Sequence, residues 1–455
     1  MANSVESSGR RSRVRTFGRL LIIVVVAGAA AGVYGIGRIG TLVVPGKQRR
    51  ARVVARLRGR VLRRTLTTLG ATFVKIGQVL STRPDLLAPA MIDELRRLQD
   101  RMPPFGFAHV ARIVEQDLGA PVDTLFAWFA RNPIAAASVA QVHRARLRDG
   151  REVAVKVLRP NIRALIERDG AVLLMLGRLF MLHPMARLND VVGHIREFVK
   201  GIVEQTDLVR EADNLERFRS NFTDVAGVVF PRPFRDRSGP RVLTMSFIEG
   251  RTVDRGLGAR AAEIGELVRT SFYKMCFDDG FVHADLHPGN MLVTRRGELA
   301  IFDAGLVKSF DARFFDEFFS FARCLVLGTA ADFVGHFRRF HTYLTDVAWD
   351  AMENDVAALM ARFQRQTAAE LETSDFSNDM FALFRKYGVR PLPEITLVLV
   401  GSLTSEGIGK MLEPTRNQFQ DIASYIVGVM LRKLAATSAQ EMPEPALRAF
   451  DHAGS

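Results

Sequence analysis

Eighteen residues without a charge, LLIIVVVAGAAAGVYGIG at 20–37, interrupt an otherwise mixed pattern near the start of the chain. That length is at the lower limit for a helix crossing a bilayer. The stretch follows GRRSRVRTFGR and precedes KQRRARVVARLRGRVLRR at 47–64, which holds 9 Lys or Arg. In the second basic run Val53, Leu57 and Val61 recur at helical spacing, the pattern of a basic amphipathic helix on anionic lipid. From Thr65 to Phe129 the pattern predicts helices, broken at RPDLLAP and MPPFGF by Pro84, Pro89, Pro103 and Pro104. The period then changes. AAASVAQVHRARL and REVAVKVL flank the turn RDG and predict a hairpin of two strands. A Leu- and Met-rich helix is predicted over about 162–182, interrupted by Arg and suited to core or interface packing. HIREFVKGIVEQTDLVREADNLERFRSNF predicts one long amphipathic helix, and VVFPRPF and RVLTMSFI two more strands. After Gly250 the chain reads as helical to about Ala435, apart from FVHADLHPGNMLV and LAIFDAGLV. Strands early and helices late predict an α+β molecule of two lobes.

This order divides the chain into a basic tail (1–17), a transmembrane or interfacial helix (18–37) and a basic amphipathic linker (38–66). A helical extension (67–130), a β-containing lobe (131–250), a helical lobe (251–435) and a polar tail (436–455) follow. With 455 residues, 48% hydrophobic and 25% charged, most of the chain can bury a core. Cys276 and Cys324 are the only cysteines, which argues for a reducing compartment and against a disulfide scaffold or a Cys-ligated zinc site. The net charge of +14 calls for an anionic partner. Its concentration around an apolar segment, without interleaved aromatics, favours an anionic membrane over nucleic acid. More basic residues follow the apolar segment than precede it, which places the large domain in the cytoplasm.

Candidate chemistry centres on FVHADLHPGNMLV at 281–293. His283, Asp285 and His287 alternate like ligands of zinc or iron. Asp285 and Asn290 also stand five apart, the separation used in kinase catalytic loops. The rest of the chain favours magnesium and nucleotide. Lys156 in VAVK suits a strand lysine reaching phosphates, and Glu211 in the next long helix can pair with it. Asp303 in FDAG comes 13 residues after Asn290, at the end of an apolar strand. Asn290 and Asp303 would hold the metals, and Asp285 would orient or deprotonate the attacking group. Each element alone is common; the ordered set is specific. Where protein kinases carry a glycine-rich loop this chain reads AAASVAQ, and alanine stiffens such a turn.

This combination resembles the UbiB/AarF family of atypical kinase-like proteins, which includes the ADCK proteins. The resemblance rests on FVKIGQVLSTRPDLL with Lys75 and Gln78, on the AAAS loop of Ala135, Ala136, Ala137 and Ser138, and on VAVK, READN, HADLHPGN and FDAG. It implies a protein-kinase-like fold of two lobes, with a helical extension carrying the K-x-G-Q segment across the active site. It implies binding of ATP or ADP with Mg²⁺ through the alanine-rich loop and Lys156, and gating by Lys75, Gln78 and Asp207. It further implies an ATPase or a small-molecule or lipid kinase rather than a protein kinase. The substrate would be a lipid or quinone precursor, and the setting isoprenoid-quinone or other membrane-lipid biosynthesis, within a lipid-biosynthetic enzyme complex. Two departures stand out. Gln205 occupies the place of the family's usual Glu, with Glu204 adjacent, and Ala304 replaces the Phe of Asp-Phe-Gly. ASYIVGVMLRKLAA is too short to cross a membrane, so the expected anchor is N-terminal. Two other classes stay open: a nucleotide-driven lipid chaperone or scaffold, and a metal-dependent hydrolase or hydroxylase on His283 and His287.

Overall fold

The computed structural model describes residues 2–81, 89–98, 102–181, 191–254, 256–340, 342–343, 346–365, 379–380, 382–384, 386–390, 392–413, 416 and 418–441. Most of the RPDLLAP break and the end of the polar tail lie outside them. Contacts divide the chain into two units: Met1–Thr252 with Gly289–Leu306, and Val253–Pro288 with Val307–Ser455.

The first unit begins with helices. α1 (Ala2–Gly40) runs without a break from the basic tail through the apolar stretch, and α2 (Lys47–Leu69) contains the whole second basic run. Gly70 closes α2 at φ +97, a backbone position natural to glycine alone, and its N–H reaches the carbonyls of Leu66 and Thr67. α3 (Ala71–Leu80) and α4 (Pro89–Arg96) complete the extension. Their apolar faces close a core of Ile23, Leu66, Phe73, Leu95, Leu98 and Val172.

A sheet of five strands follows. It comprises β1 (Phe126–Phe129), β2 (Ala135–Ala136), β3 (Ala140–Leu147), β4 (Glu152–Leu158) and β6 (Val242–Ser246). The hairpin β3–β4 forms around the RDG turn, and β4 is central, between β3 and β6. Its period of two sends Val153, Val155 and Val157 into one core, shared with Val110 and Val114 of α5 (Phe107–Leu118) and with Val122 of the short α6 (Val122–Leu125). Phe126–Phe129 ends the predicted helical stretch as a strand, because Phe126 is buried and its backbone pairs with Leu147 of β3.

The predicted long helix is two: α8 (Val191–Glu204) and α9 (Leu208–Asn221). The helical hydrophobic period runs across the break, but the Asp207 carboxylate accepts hydrogen bonds from the N–H groups of Val209 and Arg210 and starts a new helix. A second sheet runs in the order β5 (Val228–Val229), β10 (Leu299–Ile301), β9 (Met291–Thr294), β7 (Gly250–Thr252). In the other unit, β8 (Phe281–His283) pairs with β11 (Val307–Ser309). Helices Ala261–Phe277, Ala312–Leu327, Ala330–Phe340, Trp349–Arg365, Pro393–Leu412 and Gln418–Glu441 make up most of the rest. Phe321, Phe333, Phe337, Met352 and Phe384 form one of its cores.

Candidate active site

Lys156 lies on the face of β4 opposite its three core valines, with Val142 and Leu243 as its strand partners. Its side chain is buried. The ammonium donates to both Glu211 carboxylate oxygens at 2.7 and 2.8 Å, and to Asp303 Oδ1 at 2.8 Å. Glu211 is fully buried in the first turn of α9, where the helix N-terminus favours an anion. Sequence separations of 55 and 147 residues thus close into one cluster with a single cation and two carboxylates.

Burial works against the charge on Lys156, but Asp303 and Glu211 together outweigh it and hold the ammonium above its ordinary range. Burial pushes the Glu211 carboxyl up, Lys156 opposes that, and the neighbouring Asp303 charge adds to it. Asp303 is the accessible member of the cluster, with a side chain 39% exposed against 6% for Lys156.

The Asp303 loop is held from several sides. β9 and β10 form a hairpin in which Met291 faces Ile301, and the Phe302 N–H donates to the Asn290 carbonyl at 3.1 Å. The spacing of Asn290 and Asp303 is therefore that of two residues at the open end of one hairpin. Asn290 is buried. Asp303 itself has φ +63, a left-handed conformation that Asp tolerates better than most residues and that is frequent at functional sites. Asn214, one turn after Glu211, donates to the Ala304 carbonyl at 2.8 Å. A Cβ on Gly305 would lie 3.3 Å from both Asp303 Oδ1 and Glu211 Oε2, so glycine admits both carboxylates. Sequence reading singled out neither Asn214 nor Gly305, although the i, i+3 spacing of Glu211 and Asn214 within READN was the available signal.

The alanine-rich stretch enters β2, which pairs with β3 through Ala135–Val142 and Ala136–Gln141. The Ala137 N–H donates to Ala140 at 2.8 Å, and its carbonyl accepts from Arg159 Nε at 3.0 Å. Ser138 is buried, and none of the four residues adopts positive φ. The turn is thus a tight hairpin that needs no glycine, because no residue in it takes a left-handed backbone. Next to it, Gln141 exchanges hydrogen bonds with both backbone groups of Phe105 and donates to His143 Nε2 at 2.8 Å. Burial lowers the His143 pKa, so the neutral ring donates from Nδ1 to the Ala130 carbonyl.

In the K-x-G-Q segment, Lys75 and Gln78 lie on α3, and Gln78 donates its amide to the Leu98 carbonyl at 3.1 Å. A Cβ on Gly77 would come within 2.3 Å of Leu98 and 2.8 Å of Leu66, so this glycine permits the close packing of α2, α3 and the segment after α4. Asp207, assigned a gating role above, caps α9. Gln205 is buried beside Gly305, and Glu204 turns to Arg210 at 3.1 Å.

Asp285 belongs to the second unit, just after β8, and is half-buried, as is His287. His283 is buried, and its Nδ1 accepts from the Asp285 N–H at 3.2 Å. Among the described residues no three of His, Cys, Asp and Glu come together as ligands of a metal. The residue types present fit a magnesium nucleotide: hard oxygens from Asp303 and from Asn290 at the same end of the hairpin, and the Lys156 ammonium beside Asp303 for phosphate.

Comparison with known proteins gives the same direction. Residues 97–332 match the ABC1 atypical kinase-like domain. The chain is 35% identical over 381 residues to the "Probable protein kinase UbiB" of Pseudomonas paraeruginosa, covering 78% of this chain and 69% of that one. The protein of the same name from Pseudomonas aeruginosa gives the same values. Among solved structures, Rv3197 of Mycobacterium tuberculosis, in complex with erythromycin, superposes with a TM-score of 0.52. That match has 22% identity and covers 77% of this chain and 90% of the other, so it speaks for the fold alone. The α+β fold is protein-kinase-like.

Proposed function

The chain belongs to the UbiB/AarF family of ABC1 atypical kinase-like proteins, and from this premise we propose that it is a magnesium-dependent ATPase or small-molecule or lipid kinase working at a membrane. The observation that carries the reading is the contact of Lys156 with both Glu211 and Asp303. Bound MgATP supplies the phosphoryl group and the metal charge that neutralises it. Lys156 would hold phosphate oxygens. Glu211 keeps that ammonium charged and fixed, since its two oxygens hold it from a buried helix turn. Asp303 and Asn290 would ligate Mg²⁺, and Asn214 fixes the loop that presents Asp303. Asp285, by its spacing from Asn290, takes the role of orienting or deprotonating the attacking hydroxyl or water.

The family resemblance extends the reading to a lipid or quinone-precursor substrate, and to isoprenoid-quinone or another membrane-lipid biosynthesis. The apolar helix over Thr16–Val43, long enough to reach across a bilayer, and the basic α2 support an anionic membrane as the setting, with the catalytic units cytoplasmic. The test is turnover of γ-labelled MgATP on anionic vesicles by wild type and Asp303→Asn. The expected result is a loss on the order of 100-fold in the variant. Label in a lipid identifies a kinase; label only in free phosphate identifies an ATPase or an ATP-driven lipid chaperone. Equal turnover by both proteins contradicts the assignment.

A further inference from the structure

α1 has the composition of a membrane span, yet one side of it packs on neighbouring helices. Its less exposed positions, among them Arg19, Leu20, Ile23, Val26, Tyr34 and Gly37, recur every three or four residues and form one continuous stripe. That stripe docks on α2 along its length. Near one end, Arg19 donates to Leu69 at the end of α2. Further along, Tyr34 accepts from Arg58 Nε at 2.8 Å, and a Cβ on Gly37 would meet Leu57 at 2.8 Å. Beyond the end of α1, Arg50 donates to the Leu42 carbonyl at 2.9 Å. The contacts descend α2 as they ascend α1, so the two helices form an antiparallel hairpin.

The docked end is fastened by an ion pair. Arg19 grips Asp169 of α7 (Ile162–Phe180) with two hydrogen bonds, at 2.5 and 3.1 Å, and its guanidinium lies over Phe73 of α3 at 5.8 Å. Asp169 is fully buried. Undocking α1 would leave that carboxylate buried without its cation, which is strongly unfavourable. If α1 crossed a bilayer while docked, the arginines of α2 beside its middle would lie at the depth of the acyl chains, where charged side chains are rarely tolerated. Over the apolar stretch of α1 the remaining surface is exposed: Leu21, Ile22, Val25, Val33, Ile36 and Ile39 are all at least half exposed. The basic run of α2 directly beside it complements anionic headgroups.

We infer that α1 does not span the membrane: docked on α2 and locked by Arg19–Asp169, it lies in the plane of an anionic bilayer and sinks its outer apolar face into the headgroup–acyl boundary. This rests on the membrane association proposed above and specifies its mode. The test uses the full chain with single cysteines at Leu21, Val25, Val33 or Ile36, each spin-labelled, on vesicles of phosphatidylglycerol and phosphatidylethanolamine. Cys276 and Cys324 are buried and stay in place. Accessibility to oxygen and to a water-soluble relaxant is expected to put all four labels at one shallow depth. A depth that rises toward the middle of the helix overturns the inference and leaves membrane association standing. Four water-exposed labels overturn both, and label–label coupling without lipid contact shows a second copy of the chain as the occupant instead. A further variant, Gly37→Cys with Leu57→Cys oxidised to a disulfide, clamps the hairpin. It is expected to bind vesicles within 2-fold of wild type, about 0.4 kcal/mol, whereas abolished binding shows that α1 must leave α2 and overturns the inference.

Discussion

Lys156 is a buried cation whose partners are both anions, so removing it exposes how the cluster is balanced. Lys156→Met leaves Glu211 buried beside Asp303 with no positive charge, and is expected to destabilise the fold by about 3–5 kcal/mol near neutral pH. Burial already raises the Glu211 carboxyl, and loss of Lys156 raises it further. A group whose pKa is raised on folding contributes stability below its unfolded pKa and loses it as pH rises through the folded value. Burial has already pushed the wild-type Glu211 carboxyl up to about 7, so the melting temperature of the variant should fall relative to wild type only as pH rises above that value, where the wild-type carboxyl is ionised and the variant's is not. A difference that does not change with pH contradicts this account of Glu211. The three charged residues were legible in the sequence because their motifs come in a fixed order. Asn214 and Gly305 were not, because their roles, a hydrogen bond to a backbone carbonyl and room for two carboxylates, exist only once α9 meets the hairpin β9–β10.

At the scale of elements, periodicity predicted the helices and the central hairpin but not their punctuation. The apolar spacing of α8 continues into α9, and only the hydrogen-bonding of Asp207 reveals two helices. Thr206–Asp207 was a legible capping signal that the longer pattern overrode. Asp207→Ala is expected to cost about 0.5–2 kcal/mol by chemical denaturation. A cap that also aims Glu211 should, in addition, lower turnover more than it lowers stability. Unchanged stability contradicts the capping role. Phe126–Phe129 escaped detection for a different reason. Its strand character comes from pairing with β3, more than fifteen residues later, and a local window of four residues contains no trace of that partner. The alanine-rich segment, for which the resemblance implies a phosphate loop, forms the tight turn of a strand hairpin, with the Ala137 N–H bonded within the turn.

For the whole molecule, the division of labour follows the division of the sequence. The net charge of +14 is concentrated where an apolar helix is docked, while the cluster of Lys156, Glu211 and Asp303 is assembled on a central strand far along the chain. Composition alone suggested an anionic surface, but it could not distinguish crossing a membrane from lying on it. In the arrangement inferred above, that difference turns on Arg19 pairing with Asp169, 150 residues away. The central claim concerns the cluster itself: that Lys156, Glu211 and Asp303 make a site for nucleotide phosphates and magnesium. It is tested most directly by calorimetric binding of ATP with and without Mg²⁺, to wild type and to Asp303→Asn. The account predicts that wild type binds MgATP at least 10-fold tighter than metal-free ATP, about 1.4 kcal/mol, and that Asp303→Asn loses that difference. Equal affinity with and without the metal, unaltered by the substitution, would contradict it.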